Sequence, residues 1–315
     1  MTDERARRTD RTWLIAVAAS LWGLSAIWRD PLAQEYPSVT VVLWEHVVLV
    51  LLVSPWLVGS VRAVLQASWR TRVSVLVIGA GSSALATVLF TSAFRLGDPI
   101  TPQVLQKLQP VIALVLAALL LGERLRRSFA WFAVPALVGA WLLSFPEPFA
   151  VGVTNLYAAG LALGAAALWA AGTVLGRAAS AELGFAHVTA LRFGVGLVAL
   201  LVIALVTDVP LGIGTGAGWR IVVLAVVPGL LALLLYYRGL QATPASRATL
   251  AELAFPLTAA LVGVTVLGGS LDGSQWVGFA VVLAAVVGLA LHERRSERPA
   301  VTVSERAPDE VAVGR

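Results

Sequence analysis

The residues best placed to do chemistry are ionisable side chains inside apolar runs. Glu45 and His46 stand in the run 38–59, Lys107 in 101–121, Arg192 in 186–206 and Glu252 in 248–269. A charge in hydrocarbon costs on the order of several kcal/mol unless it is paired or hydrated, so each is a candidate for ion, proton or substrate recognition. Glu45, His46 and Lys107 lie six or seven residues from the same ends of their runs, roughly 10 Å deep, so a Glu45–Lys107 or His46–Lys107 contact is expected if the helices are neighbours. Arg192 and Glu252 mirror this from the opposite side. Each half of the chain is then expected to hold one carboxylate–cation pair with the signs exchanged, a gate at either face. The competing reading of Arg192 and Glu252 is snorkelling to the interface. Glu45, with His46, is the expected site of proton uptake or of contact with a cationic or zwitterionic substrate.

Neutral groups extend this set. Gln103, Gln106, Lys107 and Pro110 fall at i, i+3, i+4 and i+7, a polar face on an apolar helix. Such a face points to a cavity or to interhelical hydrogen bonds. Ser83, Thr87 and Thr91 form a second stripe, with packing and cavity lining as the two readings. Trp22 and Trp169 sit mid-run, away from either interface, and with Trp44 offer π-faces for an aromatic or cationic group. The expected substrate-binding set is Trp22, Trp44, Glu45, His46, Thr87, Gln103, Gln106, Lys107 and Trp169.

The elements that must position these residues are membrane helices. The chain has 315 residues, 58% hydrophobic and 13% charged, a composition of the membrane class. Ten spans of bilayer-crossing length fit the sequence: 13–29, 38–59, 73–94, 101–121, 129–145, 155–178, 186–206, 219–240, 248–269 and 275–291. Gly160, Gly164, Gly172 and Gly176 form a small-residue row in the sixth, and Pro228-Gly229 is expected to kink the eighth.

The second half repeats the first. Leu21-Trp22 answers to Leu168-Trp169 and Trp44-Glu45-His46 to Leu191-Arg192-Phe193, both at a spacing of 147. Pro110 answers to Pro256 and Gln106 to Glu252 at 146. Five spans per half is an odd number, so the halves are expected to be inverted, with the substrate at their interface near the midplane. The expected organisation is a basic segment 1–12, repeats 13–145 and 155–291, and a disordered tail 293–315. Arginines cluster before the first span, in the 2–3 and 4–5 loops and after the last span, while the loops between are nearly free of them. Both termini are therefore expected to be cytoplasmic, in a multi-pass protein of the cell membrane.

Several function classes are disfavoured. Cysteine is absent and only His46, His187 and His292 are histidines, which disfavours thiolate and histidine-rich metal centres. No GxSxG, Walker A or HExxH pattern occurs, so no enzyme, cofactor or metal is expected. The basic residues flank spans and report topology, not nucleic-acid binding.

The run Leu108-Gln109-Pro110, then Leu121-Gly122-Glu123-Arg124-Leu125, Trp131 and Gly139 closely resembles the EamA-type domain of the drug/metabolite transporter superfamily. The second copy keeps Pro256, Gly268, Trp276 and Gly278, with Gly269 where glutamate is usual. Trp44-Glu45-His46 replaces a usual Arg-Phe pair, which Leu191-Arg192-Phe193 retains. The resemblance covers 13–291 and implies a ten-helix, two-repeat permease or exporter of small organic metabolites, with Glu123 as a landmark joining Arg192 and Glu252 among the gating residues. The expectation is an all-α, secondary-active transporter of a small metabolite such as an amino acid or amine, by alternating access, with proton coupling as one option. The alternative is a membrane sensor or assembly subunit. Its expected partners are the substrate and the bilayer, as monomer or homodimer.

Overall fold

The computed structural model describes residues 11–96, 99–109, 111–112, 115–116, 119, 130–145, 147–149, 153–240, 251–252 and 254–296. Among these residues the chain is helical and has no strand. Six helical stretches are long and apolar enough to cross a membrane: Thr12–Glu35, Ser38–Gln66, Trp69–Phe94, Asn155–Leu183, Phe185–Thr207 and Thr215–Gly239. Trp131–Leu143, Ala254–Thr265 and Gly273–Ala285 are shorter apolar helices. Pro110, Gly122, Glu123 and the tail from 297 onward lie outside the described residues, as does much of the fourth expected span.

The first stretch is two helices, α1 (Thr12–Leu24) and α2 (Ala26–Glu35), joined at Ser25. It runs to Glu35, past the expected end at residue 29. The second is α3 (Ser38–Gln66). Pro55 lies inside α3 and cannot donate to the Leu51 carbonyl; the Ser54 hydroxyl donates to that oxygen instead, at 2.8 Å.

The third stretch is α4 (Trp69–Leu76), a π-helical segment Val77–Leu85 and α5 (Ala86–Phe94). Next come α6 (Thr101–Leu105), which tightens into a 3₁₀ turn at Gln106–Leu108, and α7 (Ala130–Ser144). The tightening has a local cause. Pro110 has no N–H to offer the Gln106 carbonyl, and that oxygen accepts from the Gln109 N–H instead.

The second half follows the same order. Helix α8 spans Val153–Leu183 and α9 spans Phe185–Thr207. Then come α10 (Thr215–Leu224), a π-helical segment Ala225–Leu231 and α11 (Ala232–Leu240). The chain closes with α12 (Ala254–Thr265) and α13 (Gly273–Ser296), which runs past the expected end at 291. The expected kink at Pro228 takes the form of the π segment. Its partner at Val77–Leu85 holds the equivalent place in the first half at the 147-residue spacing. The sequence gives no proline there; Gly79 packs so tightly that an added Cβ would sit 2.5 Å from Val195.

Three sets of repeat-related helices pack on each other, and they run antiparallel. Along α3 and α9, Thr40 bonds the Pro210 carbonyl, His46 packs on Gly196, and Ser60 bonds His187. Along α7 and α13, Leu143 meets Gly278 and Phe132 meets Gly288 and His292. Ile100 fills the space at Gly263, while Lys107 stands over Phe255. In all three pairs rising numbers on one helix meet falling numbers on the other.

The remaining pattern exchanges in the same way. Helix α1 packs on α11 and α12, and α8 packs on α5 and α6. Large apolar side chains such as Leu51, Val58, Val202, Leu205 and Leu261 face outward. That surface suits hydrocarbon and would not suit water.

Candidate substrate site between the repeats

Arg29 is the buried cation that the sequence reading missed. It is 5% exposed and its Nη2 donates to both carboxylate oxygens of Glu45, at 3.1 and 3.0 Å, while Nη1 donates to Thr91 at 2.7 Å. This corrects the expected Glu45–Lys107 contact. Helix α2 continues beyond the apolar stretch and carries Arg29 inside, where its guanidinium takes the carboxylate. The signal was Arg29 itself, set one residue beyond Trp28 and read as a span end. Phe90 lies beneath the guanidinium, 6.0 Å from its centre.

His46 is 2% exposed with both ring nitrogens engaged. Nδ1 faces the Val42 carbonyl at 2.9 Å, which only accepts, so Nδ1 donates, while Nε2 lies 2.9 Å from the Ser83 hydroxyl, a group that can donate or accept. Thr87 spends its hydroxyl on the Ser83 carbonyl of its own helix. Of the expected stripe, Ser83 and Thr91 therefore serve as interhelical links. Trp44 stands apart from Trp22 and Trp169, because its indole N–H bonds the Leu211 carbonyl at 2.8 Å.

Trp22 and Trp169 occupy corresponding settings. The Trp22 ring packs on Tyr236 and the Trp169 ring on Phe90, each with centroids 5.1 Å apart. Phe90 and Tyr236 are themselves repeat counterparts, at a spacing of 146. Each half thus builds one aromatic pair, between its own first helix and the third helix of the other half. All but Phe90 keep part of their surface accessible. Beside Trp169, Thr173 donates to the Trp169 carbonyl and accepts from Gln109 at 3.2 Å.

The second set of charges gathers at Tyr236. Its hydroxyl donates to Glu252 at 2.5 Å, and Lys107 lies within electrostatic reach of the same carboxylate. The Lys107 Nζ stands 4.2 Å from the Phe255 ring centre. Arg192 lies within electrostatic reach of Tyr237, whose ring is 5.5 Å from that of Tyr236. Its Nε is buried and has no hydrogen-bond partner among the described residues. The expected Arg192–Glu252 pair is thus replaced by Glu252 with Tyr236 and Lys107. Burial of a carboxylate calls for donors, and among the described residues the Tyr236 hydroxyl reaches it. Lys107 and Arg192 are surrounded by protein, yet both keep some accessible surface.

Gln103 is fully buried and donates to the Pro99 carbonyl at 3.0 Å. Its Oε1, like that of Gln106, has no partner among the described residues. Glu123 lies outside them. No group of three or more metal-ligating side chains occurs among the described residues.

Comparison with known proteins places this architecture. Two copies of the EamA-like transporter family's domain match, over residues 12–145 and 156–291. The chain belongs to the EamA-like transporter family. The EamA-like chain is 29% identical over 292 residues to the riboflavin transporter ImpX of Fusobacterium nucleatum subsp. nucleatum, covering 88% of this chain and 96% of that protein. It is 28% identical over 198 residues to the uncharacterized transporter YwfM of Bacillus subtilis, covering 60% of this chain and 63% of that one. A solved crystal structure superposes with a TM-score of 0.61 at 21% identity, over 92% of this chain and 100% of that one, a likeness of fold. This EamA-like chain is a multi-pass membrane protein of a transporter family.

Proposed function

We propose that this protein is a secondary transporter that moves a small organic metabolite by alternating access. In this reading ten spans form two inverted five-helix repeats, 13–145 and 155–291, in the cell membrane with both termini cytoplasmic. The observation that carries it is the set of polar and aromatic side chains that stay partly accessible inside the protein, where helices of the two halves meet. Trp22, Tyr236, Lys107, Arg192 and Trp169 belong to this set. Polar groups at membrane depth are expensive unless they face water or a ligand, and inverted repeats put such a site at their interface.

Substrate recognition is assigned to the two aromatic pairs. Trp22 with Tyr236 and Trp169 with Phe90 offer flat faces to a ring or apolar body, and Lys107, Gln106 and Arg192 meet its polar end. A relative named as a riboflavin transporter fits a site built for flat rings. Rocking of one repeat against the other would be absorbed at the π segments Val77–Leu85 and Ala225–Leu231, where the i→i−4 ladder is already interrupted. Arg29 and Glu45 neutralise one another, so in this reading the pair is a fixed bolt between α2 and α3 rather than a proton carrier.

The test is flux into proteoliposomes against a panel of amino acids, amines, organic acids, nucleosides and riboflavin. Uptake of at least one member is expected, with marked loss in Trp22→Ala and Trp169→Ala. Absence of flux for every member, from protein that is monodisperse and folded, would count against transport. Flux unchanged in both variants would move the site away from the aromatic pairs.

A further inference from the structure

We infer that residues 209–214 form a strap by which the second half of the chain latches onto the first, and that its release opens one face of the transporter. This rests on the transport reading above. Helix α9 ends at Asp208, whose left-handed backbone (φ 48°) turns the chain out of the helix. The chain then runs without regular structure to Gly214, where α10 begins. Three backbone groups of this stretch are held by side chains of the other half. The Pro210 carbonyl accepts from the Thr40 hydroxyl at 2.7 Å, and the Leu211 carbonyl from the Trp44 indole at 2.8 Å. The Gly214 N–H donates to the Tyr36 hydroxyl at 3.0 Å. Thr40 and Trp44 lie one turn apart on one face of α3, and Tyr36 stands at its entrance.

Pro210, Leu211, Gly212 and Gly214 are exposed, while Val209 and Ile213 pack inward on two apolar clusters that share Trp44. A neutral hydrogen bond of this kind shifts an equilibrium by about fivefold, so a strap held by three of them is a unit of low local stability. The helices beneath are interlocked: His46 fills the space at Gly196, and Val195 the space at Gly79. The strap therefore lets go before the helices do. Helices α2 and α10 belong to different halves and meet under Ile213, through Leu32, Ala217 and Ile221. Freeing the strap allows them to part. The other face is built differently. There the counterparts at the 147-residue spacing, 62–67, continue α3 as helix to Gln66, and Trp44 answers to Leu191, which has no donor. The Glu182 carboxylate joins the helix ends at that face.

The chain has no cysteine, so an introduced thiol reports on the strap without background. Ala217 is 3% exposed in the cluster on which Ile213 packs, and Ala217→Cys places a thiol that a water-soluble maleimide reaches when the strap lifts. In the purified full chain Thr40→Val and Trp44→Phe each delete one bond. Each should raise the labelling rate by about fivefold, and the two together by about tenfold or more. Thr40→Ser keeps the hydroxyl and should label close to the parent rate. Glu182→Ala, at the opposite face, should leave this thiol's rate unchanged.

Labelling at the parent rate in Thr40→Val and Trp44→Phe overturns the inference. So does a rate that Glu182→Ala raises to the same extent, which would mean general loosening. Locking supplies the second arm. Thr40→Cys with Pro210→Cys, bridged by a short bismaleimide, should halt carriage of any compound that the unbridged protein moves into proteoliposomes. Undiminished carriage by the bridged protein overturns the gate, while the transport reading stands. If no compound is moved before bridging, the transport reading falls, and the strap stands or falls on the labelling alone.

Discussion

Glu182 accepts two hydrogen bonds from Ser68, one from the backbone N–H and one from the hydroxyl, each at 2.7 Å. The Thr71 hydroxyl donates to the same carboxylate. The C-terminal end of α8 is thereby tied to the N-terminal end of α4, where a carboxylate also suits the helix dipole. The counterpart of Glu182 at the 147-residue spacing is Glu35, at the end of α2. Glu35 reaches the start of α10, but through a 3.6 Å contact with Arg220 and a hydrogen bond from Tyr36, whose oxygen accepts from the Gly214 N–H. Equivalent helix ends are therefore tied tightly in one place and loosely in the other.

The tight tie gives the first prediction. Glu182→Ala should loosen the α4 end and leave the Glu35 side unchanged. The chain has no cysteine, so one introduced by Arg70→Cys gives a clean probe. Its labelling rate should rise several-fold in Glu182→Ala. A rate equal to that of the parent would show that the tie does not hold this end.

The Arg29–Glu45 pair supports a second. Removing one partner leaves a buried, uncompensated charge, so Arg29→Met and Glu45→Leu should each destabilise by about 3–5 kcal/mol. The double variant should be clearly less damaging than the sum of the two. Denaturant unfolding of the three variants in one detergent checks this. Simple additivity would mean that the pair is not coupled.

Glycines in the row expected for close packing separate into two kinds. A Cβ at Gly172 would fall 2.0 Å from the Ser82 hydroxyl oxygen, whereas Gly160 and Gly176 have open space. The tightest backbone contact is elsewhere: a Cβ at Gly278 would lie 2.5 Å from the Leu143 nitrogen and 2.6 Å from the Gly139 carbonyl oxygen. Gly278→Ala should destabilise by about 1–3 kcal/mol, because backbone cannot yield as a side chain can. Gly160→Ala and Gly176→Ala should be neutral or slightly stabilising, since alanine favours helix by up to about 1 kcal/mol. Melting temperatures of the three variants decide it.

Tyr236→Phe probes the site without changing its charge. Loss of the hydroxyl removes a donor from Glu252, so the variant should be less stable by about 1–3 kcal/mol. Glu252→Gln in the same background should recover part of that loss in melting temperature; no recovery would show that Tyr236 acts through its own ring.

The sequence by itself determined the helical class, the two-fold repetition and the family. These rest on signals local to the chain: apolar runs of bilayer length, a constant spacing between counterparts, and a motif set in fixed order. It also singled out Trp22 and Trp169, because an indole far from either interface is anomalous without any neighbour in view. Partnerships were beyond it. Glu45 chose Arg29 over Lys107 because α2 runs on past the apolar stretch, and hydropathy ends a span where polarity begins, not where the helix does. Glu252 went to Tyr236 because α11 and α12 face each other across α1, a placement that depth along each helix leaves open. The π segment at Ala225–Leu231 was half legible through Pro228, whereas the one at Val77–Leu85 has no proline, and the close approach of α9 to Gly79 within it shows only in the packing. Spacing along one helix fixes which residues share a face; only packing between helices decides which faces meet, and that choice joins Arg29 to Glu45.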